Sequence, residues 1–251
     1  MSVLAWHDPV PRDGWQQMAI DRAMVEVART TGVTLFRLYR WRADTVSFGA
    51  NEAATRSWDR EALERDGVPC VRRPTGGRAV WHDRADLTYA WAGPSGGPAG
   101  PRRRYRDLHR QLARAIDRGA APVALADRPS GPADLAPGAC FDVAVGGEIL
   151  VGNRKVVGSA QKVLGAILLQ HGAIAIAGAT TLDRYRLGSS PAARTSQDST
   201  LPEAPRLAER ILATWREDGS APAPDELTER LLAASVEHGS QFRDPAWTWR
   251  R

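Results

Sequence analysis

Residues 141–178, FDVAVGGEILVGNRKVVGSAQKVLGAILLQHGAIAIAG, form a series of short apolar runs broken by Gly146-Gly147 and Gly152-Asn153. Glycine and asparagine accept the left-handed backbone of tight turns, so this spacing predicts a β-meander. Within it, 163–178 is almost apolar enough for a membrane span. It is too short to cross a bilayer and carries Gln170 and His171 in mid-run, so it reads as a buried strand pair. Working outward, LFRLYRW (35–41), TVSFG (45–49) and VPCVRR (68–73) are rich in β-branched and aromatic residues, and DLTYAWAG (86–93) places Leu87, Tyr89 and Trp91 on one face. Trp15, Ala19, Ala23 and Val27 recur every four residues, which predicts a first helix ending near Gly32. RRYRDLHRQLARAIDRG (103–119) predicts a second, and two more are expected around Leu207, Ile211, Leu212 and Trp215 and around Leu227, Leu231 and Leu232. GPSGGPAGP (93–101) and PSGPADLAPG (129–138) are too rich in breakers for regular structure and read as loops, the first a mobile one. The order of elements predicts an α+β fold, a mixed and largely antiparallel sheet with flanking helices, and not a regular βαβ array.

At 251 residues with 43% hydrophobic and 25% charged side chains, the chain suits one large globular domain and excludes a disordered or fibrous protein. The main domain is expected over 1–187, with a linker and C-terminal helices over 188–251 packed on it. The N-terminus lacks a basic segment followed by an apolar one, which argues against a secretory signal and for the cytoplasm. Two cysteines, Cys70 and Cys140, with no C-x-x-C spacing exclude a zinc ribbon or thioredoxin-type site, and no H-x-E, H-E-x-x-H or carboxylate cluster supports a metal. A formal charge of +5 favours an acidic partner, but no nucleic-acid module interleaves aromatics with basic residues, so neither nucleic acid nor a membrane is expected.

Of the 34 basic residues only Lys155 and Lys162 are lysines. Arginine replaces lysine on most surfaces but cannot supply a compact ammonium whose pKa moves on burial, so a retained lysine points to chemistry that arginine cannot do. Three segments concentrate reactive groups. In RRPTGGRAVWHD (72–83) the pair Gly76-Gly77 lets the backbone approach a ligand and present N–H groups, with Arg72 and Arg73 as flanking donors; it is neither a Walker A loop nor a dinucleotide turn. A tight hairpin with solvated arginines has the same pattern. In GACFD (138–142) Cys140 stands where a loop enters a strand, a setting open to a nucleophile or an inert thiol, whereas Cys70 lies in an apolar run like a small hydrophobe. GNRKVVGSAQ (152–161) puts Lys155 just before Gly158, Ser159 and Ala160, without the G-x-S-x-G elbow of a serine hydrolase. His82 and His171 are acid/base candidates or hydrogen-bonded structural residues.

RRPTGGRAVWHD, LTYAW, ACFD, GNRKVVGSAQ and LLQHGAI, in that order, resemble the lipoate–protein ligase and octanoyltransferase family, which shares its catalytic domain with biotin–protein ligases. The resemblance covers roughly the first three-quarters of the chain, including the weaker blocks GWQQMAIDRAM (14–24) and LYRW…VSFG (38–49), and fades after about Leu187. It implies a class II aminoacyl-tRNA synthetase-like or biotin–protein ligase-like fold. It also implies a medium-chain acyl group held near Gly76-Gly77 and passed to a lysine of a lipoyl domain or of the glycine-cleavage H protein.

Ligases of this family carry a third glycine where this chain has Arg78 and need no thiol, so Arg78 and Cys140 together resemble the cysteine-dependent octanoyltransferases. The implied mechanism is attack of a Cys140 thiolate, stabilised by Lys155, on the thioester of octanoyl-phosphopantetheine carried by acyl carrier protein, followed by transfer to the acceptor lysine. Arg72, Arg73, Gly76, Gly77, His82, Gly158, Ser159 and Ala160 are the implied substrate-binding residues, with no metal and no separate cofactor. An ATP-dependent lipoate ligase, an octanoyl amidotransferase between lipoyl domains and a non-catalytic carrier-binding module remain open alternatives.

Overall fold

The computed structural model describes residues 3–117, 122–126, 147–152, 154–176, 182–188 and 201–250. In chain order the elements are β1 (Val3–His7), α1 (Gly14–Thr31), β2 (Thr34–Tyr39), β3 (Thr45–Phe48), α2 (Ala54–Ser57), α3 (Arg60–Arg65), β4 (Cys70–Arg72), β5 (Val80–His82) and β6 (Leu87–Pro94). They continue with α4 (Gly100–Ile116), β7 (Val123–Leu125), β8 (Ile149–Val151), β9 (Arg154–Leu164), β10 (Ile167–Ile174), a 3-10 turn (Leu182–Tyr185), α5 (Ala204–Glu217), β11 (Ala221–Pro222), α6 (Asp225–Arg243) and α7 (Pro245–Thr248). α1 begins with a capping box, in which Asp13 and Gln16 satisfy each other's backbone donors, and stops at Gly32, whose φ of 73° a side chain would resist.

The strands form two sheets. The large one runs β11-β1-β2-β6-β10-β9-β8-β7. It is antiparallel except where β1 lies parallel to β11 and β2. The small one, β4-β3-β5, contains two strands expected from sequence, in 45–49 and 68–73, and adds β5, whose three residues were not read as a strand. The expected meander is present as β8-β9-β10, and 163–178 supplies the end of β9, a turn at Gly165 with φ 63° and all of β10. The loop expected over 93–101 is shorter: β6 reaches Pro94, opposite Ile167, and α4 begins at Gly100, because proline is tolerated at a strand end and in a first helical turn.

Alternation along the large sheet creates two cores. Phe36, Leu38, Tyr89, Trp91, Leu168 and Val157 face α4 and α5, where Trp215 stacks on Phe36 at 4.4 Å between ring centroids. Leu35, Tyr39, Ala90, Ala92 and Leu169 face α1, with Leu231 and Phe242 of α6 completing that side. Each fully buried Leu, Val or Phe among them contributes about 1.5–3 kcal/mol. Register slips once, between β8 and β9, where Ile149 opposes Val157 but Leu150 opposes Lys155. Ile149 belongs to the α4/α5 core, so this bulge turns Lys155 toward the α1 side.

Candidate functional site

A pocket enclosing about 440 Å3 of empty space, part of it open to solvent, lies between the small sheet and the α1 side of the large one. Its lining includes Trp41, Arg73, Gly77, His82, the Gly158-Ser159-Ala160 run of β9 and His171. Gly77 has φ 92°, a conformation reserved for glycine, and its carbonyl stands where a Cβ on Gly49 would be, 1.8 Å away. The turn is therefore wedged against the backbone that follows β3. Arg73 ties it down, donating from Nη2 to the carbonyls of Gly76 at 2.9 Å and Arg78 at 2.6 Å, and from Nη1 to the Ser47 carbonyl at 2.7 Å.

Arg72 was expected as a substrate donor and is turned elsewhere. Its guanidinium is fully buried and donates to the carbonyls of Gly49, Glu52, Trp247, Thr248 and Arg250 at 2.6 to 3.1 Å, joining the turn after β3 to the C-terminal segment. A buried guanidinium needs acceptors for its five N–H groups, and these carbonyls supply them. His82 stays in the pocket, stacked on Trp41 with centroids 4.1 Å apart, its Nε2 2.8 Å from the Ser47 hydroxyl and its Nδ1 buried without a partner. Burial, with the Arg73 cation and His171 nearby, holds its pKa well below the ordinary 6.5, so it is neutral at pH 7.

Beneath the pocket on the α1 side runs a buried charged network. Arg37 donates to Asp8 at 2.7 Å, to Asp21 at 3.2 Å and to Gln17 at 2.5 Å. Asp21 also accepts from Tyr39 at 3.1 Å and from His171 Nδ1 at 2.9 Å. His171 Nε2 then meets the Thr75 hydroxyl at 2.6 Å, linking the network to the glycine turn. Both ring nitrogens of His171 are therefore hydrogen-bonded, and its side chain lies at the pocket wall.

On the opposite face the polar groups are neutral. His109 donates from Nδ1 to the Gly147 carbonyl at 2.5 Å, which leaves Nε2 as the acceptor for the Ser159 hydroxyl at 2.8 Å. Ser159 accepts in turn from the Tyr89 hydroxyl at 2.7 Å, and Tyr89 from Gln170 at 2.6 Å. Burial, aided by the Lys155 charge, lowers the His109 pKa to about 4 against the opposing pull of the Gly147 bond. Gly172 leaves room for this chain, because a Cβ there would stand 2.3 Å from Ser159 Oγ. So β9 offers its backbone to the pocket while the Ser159 side chain anchors the strand from behind.

Lys155 is buried, its Nζ 2.6 Å from Glu148 Oε1, whereas Lys162 is exposed. Ala126 and Gly147 are paired at 2.8 Å, closing the base of the segment that joins β7 to β8. Cys140 falls within that segment and lies outside the described residues, as does the rest of ACFD. Cys70 is half-buried against the small sheet, and burial followed by Glu64 pushes its thiol up to about 12, consistent with an inert side chain. Among the described residues no group of three or more His, Cys, Asp or Glu side chains could hold a metal ion, and no helix is long and apolar enough to cross a membrane. Asp21, Ser47, Thr75 and His109 were not singled out from sequence, although Thr75 lies inside the glycine-turn motif and Asp21 and Ser47 inside the weaker blocks of the resemblance.

The fold is that of lipoate ligases. A T. acidophilum protein described as a lipoate protein ligase, with bound lipoic acid, superposes with a TM-score of 0.76 at 19% identity over 99% of this chain and 98% of its own. Lipoate-protein ligase A bound with ATP superposes at 0.75, with 16% identity over 99% and 98%. Residues 13–200 match the model of the lipoyl protein ligase A/B catalytic domain, and the chain belongs to that family. Octanoyltransferase LipM of Moorella thermoacetica is 39% identical over 170 residues, 65% of this chain and 62% of the relative. LipM of Symbiobacterium thermophilum is 36% identical over 65% and 61%. The matched stretch thus spans about three fifths of these relatives' length.

Proposed function

We propose that this chain transfers an octanoyl group from octanoyl-acyl carrier protein to a lysine of a lipoyl domain or glycine-cleavage H protein, through a thioester on Cys140. The observation that carries the reading is the pocket, in which the glycine turn and the backbone of residues 158–160, far apart in sequence, face one largely apolar space. Relatives named octanoyltransferase favour this acyl group and reaction over the alternatives.

In the first step the Cys140 thiolate attacks the thioester carbonyl. The C–S bond to phosphopantetheine breaks, and the departing thiolate takes a proton to leave as a thiol. In the second the acceptor's neutral ε-amine attacks the new thioester, Cys140 departs as thiolate and the nitrogen loses a proton, leaving an amide. The Lys155 ammonium, set by Glu148, supplies positive charge for the thiolate. Backbone N–H groups at Gly76-Gly77 and Gly158-Ser159-Ala160 are assigned to the acyl carbonyl, and His82 with Arg73 to the pocket wall. Arg72 acts by holding the turn in place. Eight carbons buried at about 0.8 kcal/mol per methylene make chain length the specificity handle. The donor arrives already activated, so neither metal nor nucleotide enters the scheme, and a free thiol suits a reducing cytoplasm.

The test is intact-mass measurement after mixing the protein with octanoyl-acyl carrier protein without ATP. A single octanoyl adduct is expected in the wild type, none in Cys140→Ala and slow formation in Lys155→Ala. An adduct that persists in Cys140→Ala removes the nucleophile, and a strict need for ATP turns the reading to a ligase.

A further inference from the structure

Helix α4 carries Arg102, Arg103, Arg104, Arg106, Arg110 and Arg114 against one acid, Asp107, a formal +5 equal to that of the whole chain. The charge is unevenly compensated along it. Toward the C-terminal end Arg114 pairs with Asp218 at 2.9 Å, and Asp107 serves Arg110 at 3.3 Å and, less closely, Arg103 at 3.7 Å. Arg104 lies over the Trp91 ring at 4.6 Å. Arg102 and Arg106 are exposed and meet no acidic group among the described residues, and the Arg103 side chain is 84% exposed. Unpaired guanidinium groups crowded on two turns repel one another and are relieved by an acidic partner.

The position of this patch matters as much as its sign. The Pro101 carbonyl accepts from Gln161 of β9 at 2.9 Å, two residues from Ser159 of the pocket wall. On the next turns Tyr105 packs near Gly147, 3.4 Å from where its Cβ would be, and His109 bonds the Gly147 carbonyl. The arginines therefore stand on the helix that braces both the pocket strand and the base of the β7–β8 segment.

We infer that the N-terminal half of α4 is the docking surface for the acyl donor, an acidic carrier protein whose negative surface meets Arg102, Arg103 and Arg106. This rests on the thioester-donor reading above. Charge complementarity of this kind governs encounter and salt dependence rather than the chemistry itself.

The experiment compares the full chain with Arg102→Glu/Arg103→Glu/Arg106→Glu, and with a control that reverses the exposed Arg29, Arg65 and Arg230. Kd for acyl carrier protein is measured at low and high salt, and the rate of S-octanoylation is measured from octanoyl-acyl carrier protein and from octanoyl-CoA. A loss of carrier affinity of about tenfold or more in the α4 variant, a flattened salt dependence, a smaller loss in the control and an unchanged rate from octanoyl-CoA are expected. Carrier affinity within twofold of wild type overturns the inference. So does an equal loss of rate with octanoyl-CoA, which carries phosphates but no protein surface. Absence of an adduct from any donor in the wild type counts against the thioester reading, while the Kd comparison still decides the docking surface.

Discussion

The two faces of the large sheet solve one problem with different chemistry. On the α1 side Asp8, Arg37, Asp21 and His171 bury a charged chain that ends at Thr75 in the glycine turn. On the α4 side Gln170, Tyr89, Ser159 and His109 bury a neutral chain that ends at the Gly147 carbonyl. Each chain pins one part of the candidate site, the turn in one case and β9 with the base of the Cys140-bearing segment in the other. Charges removed from water must be fully paired, so the first is all-or-none. Neutral groups lose less when one is deleted, so the second tolerates substitution and responds to pH.

Four measurements sharpen or break this contrast. Arg37→Met leaves Asp8 and Asp21 buried without their shared cation and should cost about 3–5 kcal/mol in a denaturant titration; a loss under 1 kcal/mol would show that the charges are not held as described. Next comes pH. An unfolded histidine binds its proton near 6.5 but buried His109 only near 4, so between those values protons favour the unfolded chain. Stability present above pH 6.5 should therefore be lost as pH falls to 4, by about 3 kcal/mol from His109, with His82 acting in the same direction. His109→Gln should flatten that slope, and an unaltered slope would remove His109 as its source.

A smaller effect is expected from Ser159→Ala. It strands Tyr89 and His109 and should cost about 1–3 kcal/mol while the rate of S-octanoylation changes only a few-fold. A collapse of the rate in a stably folded variant would mean that the hydroxyl acts in the pocket and not behind it. The smallest concerns the exposed Lys162. Lys162→Arg should leave stability and acylation rate unchanged, whereas a loss would move the lysine requirement away from Lys155.

Some of this was legible in local sequence. α1 was visible in Trp15, Ala19, Ala23 and Val27 and in its Gly32 stop, and the meander in the glycine breaks around 147 and 152. The motif RRPTGGRAVWHD pointed to the turn and to His82, and lysine scarcity pointed to Lys155 and Lys162 alike. The charged network was not visible, because Asp21 and His171 are 150 positions apart, and although His171 stood out in its apolar run nothing near it named its partner. His109 was hidden for a related reason: in an arginine-rich helix its burial depends on α4 docking against β9. Arg72 and Arg73 looked equivalent as adjacent members of one motif, yet neighbouring strand residues point to opposite sides, and only one reaches the pocket.

Periodicity, turn residues and motif spacing determined the element types, the α+β class and the candidate site segments, because these depend on residues within a few positions of one another. Tertiary structure alone decided which face of the sheet each polar group joined, which arginine became a strut, and that Lys155 sits on Glu148 at the root of the β7–β8 segment. Those outcomes follow from strand register, since alternate residues face opposite sides of a sheet, and beside Lys155 from the register slip between β8 and β9.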